Sequence, residues 1–121
     1  MARLLRSPEF ISDVENALRI SEEHWGRDGR ARYTLLLRHT LADLARDPRR
    51  IGVRAVPERP GLFGYHLRHN RKAVPAGQRV AQPRHVVYFR DDGDGEVVRL
   101  LRLLHDRMLP DPWLPTSNGA P

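Results

Sequence analysis

The stretch from Gln82 to Leu109, QPRHVVYFRDDGDGEVVRLLRLLHDRML, constrains the fold more than any other. It holds two apolar runs separated by an acidic turn, Asp91 to Gly95, where Asp and Gly tolerate the positive φ that tight hairpin turns need. The first run alternates. His85, Val87 and Phe89 point one way, and Arg84, Val86, Tyr88 and Arg90 the other. In the second run Arg99, Arg102 and Asp106 recur at helical spacing, so periodicity alone allows an amphipathic helix. The β-branched start at Val97-Val98 and the turn before it favour a strand. A hairpin here is expected to form the centre of the core.

Ahead of it, Ala2 to Arg6 is a short apolar-centred piece that suits an edge strand. Ser7-Pro8-Glu9 is a helix start, with Ser as N-cap, Pro in the first turn and an acid beside it. Phe10, Val14, Ala17, Leu18 and Trp25 follow at three-to-four spacing, with Asp13, Glu15, Glu22 and Glu23 off that stripe. Gly26 is placed to end this helix, and Asp28 to cap a second that runs to about Asp47, before Pro48. A short link between two amphipathic helices implies an antiparallel helical hairpin. Pro48 to Gly61 reads as irregular chain, Leu62 to His69 as a strand, and Asn70 to Pro83 as a basic loop long enough to be functional or mobile. The expected class is α+β, an N-terminal antiparallel helical hairpin packed on a small antiparallel sheet. Residues 1–109 form one domain, and the Pro-rich tail 110–121 is expected to be disordered, with Trp113 and Leu114 able to dock on a partner.

Charge is unevenly spread. Residues 1–47 balance 8 basic against 8 acidic side chains, whereas residues 48–90 carry 10 basic side chains against Glu58 alone. That middle third (Arg49, Arg50, Arg54, Arg59, Arg68, Arg71, Lys72, Arg79, Arg84, Arg90) is a concentrated positive field suited to phosphate backbones or an acidic protein. The chain has no cysteine, hence no disulfide, thiolate metal site or Cys nucleophile. No apolar run approaches the ~20 residues that span a bilayer, and the N-terminus lacks a signal-peptide pattern. A cytoplasmic protein without membrane attachment is expected.

The ordered set SPEFISDVENALRISEEHWG, LADLARDPRRIG, GLFGYHLRH, PRHVVYFR and VVRLLRLLHDRM resembles the RelE/ParE family of bacterial type II toxins, closer to the ParE branch. The resemblance covers roughly residues 2–109; the 70–83 loop is longer than usual and the tail is extra. It implies a growth-inhibiting toxin neutralised by a cognate antitoxin (ParD-like or similar), touching DNA only indirectly through that antitoxin. The ParE branch implies DNA gyrase as target, without catalytic residues. The RelE branch implies ribosome-dependent mRNA cleavage. A non-toxic antitoxin-binding remnant is the third option.

Metal-free RNA cleavage needs a base, an acid and cations around the phosphorane. His105, Arg84, Tyr88 and Arg102 are the candidates if the chain is a ribonuclease, with His105 foremost because imidazole titrates near neutrality. His66, His69, His85, Arg68 and Arg90 supply further groups, although all could equally form a solvated sheet face with packed stems. His85, alternating with Val87 and Phe89, suggests a packing role. Arg68, Arg71, Lys72, Arg84, Arg90, Arg107 and Met108 are candidates for binding target or antitoxin. No cofactor or metal is expected. His66 and His69 would lie on opposite faces of a strand, and Asp91, Asp92 and Asp94 fail the calcium-loop pattern at both ends.

Overall fold

The computed structural model describes residues 1–115. The chain begins with β1 (Arg3–Arg6), and Ser7 then caps the helical stretch Pro8–Arg46, its hydroxyl accepting from the Phe10 N–H at 2.9 Å and donating to the Leu101 carbonyl at 2.8 Å. Gly26, at φ 74 and ψ −171, breaks this stretch into α1 (residues 8–25) and α2 (residues 27–46). A side chain would be strained in that backbone conformation, so glycine stands at the corner. Arg30 pairs with Glu15 at 3.2 Å and with Glu22 at 3.4 Å. Residues fifteen apart on one straight helix would be about 22 Å apart along its axis, so these contacts require the helices to fold back as an antiparallel hairpin. At the corner, a Cβ on Gly29 would collide with the Trp25 Cβ. Trp25, expected on the apolar stripe, is 72% exposed because the stripe leaves the sheet before the corner.

The remaining strands are β2 (Arg54–Ala55), β3 (Leu62–His66), β4 (His85–Asp91) and β5 (Val97–His105). They form one sheet in the order β1-β5-β4-β3-β2, antiparallel except for β1 alongside β5. The class is α+β as expected, with β5 a strand and Gly93 and Gly95 at positive φ in the preceding turn. Val87, Phe89, Tyr65, Val98, Leu100 and Leu103 meet Phe10, Leu18, Tyr33, Leu36, Leu37 and Leu44 of the hairpin in one core.

The structure differs from the sequence expectations at four places. The two-residue strand β2 lies within the stretch read as irregular. The strand read from Leu62 to His69 stops at His66, whose Nδ1 accepts from the Arg68 N–H at 3.0 Å and so caps a 3₁₀ turn over Leu67–Ala73. The loop that follows is anchored: Asn70 and Val74 are buried, and the Asn70 side chain donates to Asp43 and accepts from the Tyr65 hydroxyl. Part of the expected disordered tail is also placed. Asp111–Trp113 form a 3₁₀ turn, Asp111 pairs with Arg59, and Leu114 packs on Val56 and Leu62 against the outer sheet face. Residues 116–121 lie outside the described residues.

Candidate functional site

Where β3 ends, β4 begins and β5 runs out, side chains from three strands and α2 converge. Antiparallel register sets His85 opposite His105, with their rings 5.6 Å apart edge to face. The ladder continues one step further, the Asp106 N–H donating to the Arg84 carbonyl at 2.8 Å. This fixes the Asp106 carboxylate between His66 Nε2 at 3.0 Å and Arg84 Nη2 at 3.3 Å, with His105 Nδ1 at 3.4 Å as a third partner when that ring is protonated. Burial pushes the Asp106 carboxyl up, but the His66 hydrogen bond and the Arg84 and His105 charges outweigh it and hold it below the usual carboxylate range.

The hydrogen bonds assign protons. His66 Nδ1 accepts from the Arg68 N–H, so its proton is on Nε2 and is donated to Asp106. When the His105 ring is neutral, its Nδ1 accepts from the Arg107 N–H at 3.1 Å, which likewise leaves the proton on Nε2. In each ring the unprotonated Nδ1 is occupied by a backbone amide and is not free to act as a base. Tyr33 of α2 reaches in from the helical layer, accepting from the Arg84 N–H at 3.4 Å and donating to His85 Nδ1. Burial raises the Tyr33 phenol above its ordinary value. Burial first, and then the His105 charge, depress His85 to about 4.

His85 therefore makes stability pH-dependent. Its folded pKa lies below the ordinary 6.5, so between those values the unfolded chain binds a proton that the folded chain refuses. The contribution is complete above pH 6.5 and is lost as pH falls towards 4, by at most about 3 kcal/mol. Urea unfolding at pH 7 and pH 4.5 should show a loss about 2 kcal/mol larger for the native chain than for His85→Asn, whose side-chain oxygen still accepts from Tyr33. Equal losses would exclude His85 as the source.

The sequence candidates divide between two places. Arg84 and His105 meet at Asp106. Tyr88 and Arg102 oppose each other in the ladder on the outer face, while His105 follows Arg102 by three residues and faces the helical layer with His85. Arg102 is committed elsewhere, to Asp13 of α1 at 2.7 and 2.9 Å, with Trp113 stacked 5.6 Å away. Arg71 donates to the Val80 carbonyl at 2.7 Å, and Lys72 and Arg68 are exposed on the same 3₁₀ turn. Arg90 sits at the far end of the sheet opposite Leu62 and Arg99. Arg107 is exposed and Met108 half-buried just past β5.

Sequence reasoning missed Asp106 as the hub and Tyr33 as its helical neighbour. The first could have been found from its place between His105 and Arg107. The second had no local signal. On the other side of the molecule, a groove of about 500 Å³ runs between the helices and β1, lined by Phe10, Ile11, Val14, Leu37, Leu41 and Arg38 among others.

Residues 4–110, most of the chain, match the family model described as ParE toxin of type II toxin-antitoxin system, parDE. No curated protein matches the chain.

Proposed function

Because the chain belongs to the ParE toxin family of type II toxin–antitoxin systems, we propose that it inhibits DNA gyrase in the cytoplasm and is held inactive by a cognate antitoxin. The observation that carries the gyrase reading over mRNA cleavage is the mutual engagement of the polar side chains. His66 and His105 have their protons directed by backbone amides, and Arg102 is bound by Asp13 on the opposite face from His105. Such an arrangement holds the end of β5 rigid without presenting a free base. A rigid, positively charged strand end is suited to binding a protein target. No helix is long and apolar enough to cross a membrane among the described residues.

The antitoxin would lie along the apolar groove of the hairpin, with Arg6 and Arg38 at its rim for acidic residues. Co-expression with the small open reading frame beside the gene should yield a stable complex, and failure to form one counts against the antitoxin assignment.

Induced expression in bacteria, with an SOS reporter and pulse-labelled protein synthesis followed together, tests the target. SOS induction while translation continues is the expected result. Translation arrest without SOS would replace gyrase by the ribosome and make His105 and Arg84 the first residues to substitute. Absence of any growth defect would leave an antitoxin-binding module.

A further inference from the structure

The outer face of the sheet carries a second site, which adjoins the strand end and shares His66 with it. A cleft of about 250 Å³ opens between β2, β3, β4 and the 3₁₀ turn. Its polar lining is Arg54, His66, Arg68, His69 and Tyr88, and no carboxylate is among its lining residues. The neighbouring arginines are mostly spoken for: Arg49 pairs with Asp91, Arg50 with Asp43, Arg59 with Asp111 and Arg84 with Asp106. Arg54 and Arg68 are exposed, and among the described residues neither guanidinium has an ion-pair partner.

Two rings frame these charges and are themselves held in place. Tyr88 lies against Gly64, where a Cβ would come within 3.0 Å of the ring, and His69 lies equally close over Gly52 while tilting over the Tyr65 ring at 5.1 Å. The volume equals that of about eight waters, which accommodates a phosphate together with part of the sugar or base it carries. Guanidinium forks match phosphate oxygens, and an aromatic face accepts any base.

We propose that this cleft binds the phosphate of a nucleotide, with Arg54 and Arg68 as the charge partners and Tyr88 as the surface for sugar or base. Burial first, and then the neighbours Arg68, His66, Arg54 and Arg50, lower the His69 pKa. An anion seated beside them reverses that effect.

The test is NMR titration of the full chain with adenosine 5′-monophosphate. Saturable shifts are expected at Arg54, Arg68, His69 and Tyr88, with the His69 pKa rising back toward its ordinary value. The double variant Arg54→Gln/Arg68→Gln, altered only at exposed side chains, should keep its melting temperature and bind about tenfold or more weakly. A short oligothymidylate that binds the same residues more tightly would assign the phosphate to a nucleic-acid strand; equal affinity would assign it to a free nucleotide. Either result supports the site. Absence of saturable shifts there, binding unchanged in the double variant, or saturation by a phosphoserine peptide but not by the nucleotide would overturn it.

Discussion

Replacing Asp13 with alanine should cost the fold about 3 kcal/mol and lower its melting temperature by roughly 10 °C. Asp13 holds Arg102 through two hydrogen bonds and also accepts from the Leu103 backbone N–H at 3.0 Å. That amide points to the side of β5 where β1, paired only with residues Val97 to Leu100, has already ended. An unpaired strand edge is both a desolvation cost and an invitation to pair with another chain. Asp13 closes it, and its side chain and that of Arg102 are only 16% and 18% exposed. Alanine leaves the amide and the guanidinium without their acceptor. The Asp13→Asn variant retains one oxygen for the amide and should cost about half as much. Urea unfolding decides the matter, and an alanine variant within about 0.5 kcal/mol of the native chain would show that water replaces the carboxylate without loss.

Ending the chain after Leu104 should abolish growth inhibition. This rests on the toxin reading, in which the strand end is the target-binding element. The truncation also removes Asp106, leaving His66 and Arg84 without their carboxylate, so lost folding could mimic lost binding. The double variant Arg107→Glu/Met108→Ser separates the two. Arg107 is exposed and Met108 only half-buried, so the fold should survive. Losing a binding hot spot of about 2 kcal/mol weakens target binding by roughly thirtyfold. Plating under induction, with a melting curve for each protein, reads both quantities. A variant that melts like the native chain and remains fully toxic would remove the strand end from the toxin's working surface.

Local physical chemistry was legible in the sequence wherever a residue acts on its immediate neighbours. Ser7 caps α1 as its type and position require, Gly26 supplies the left-handed corner, and Gly93 and Gly95 supply the turn. His85, read as a packing histidine from its alternation with Val87 and Phe89, is held by Tyr33 at the rim of the core. Distant partners were not legible. Asp13 lies off the apolar stripe and reads as solvent-facing, yet its partner is 89 residues away. Asp106 is a hub only because β3 and β4 bring His66 and Arg84 to it. The strand read to His69 fails because the His66 ring competes for a backbone amide, which alternation cannot reveal.

Periodicity, caps and turn residues act over a few residues, and they suffice for the α+β class, the helical hairpin and the central β-hairpin. The meaning of the spacing in β5 came instead from strand pairing. Arg99 and Arg102 stand three apart, as on a helix, because the ladder slips between Tyr88 and Phe89: Tyr88 faces Arg102, while Phe89 faces Leu100. Leu101 is the extra residue of a β-bulge. It lets Leu100 and Leu103 both enter the core, while Leu101 packs on the outer cluster with Leu114. A bulge in one strand exists only relative to its partner, so no pattern within the strand alone could distinguish it from a turn of helix.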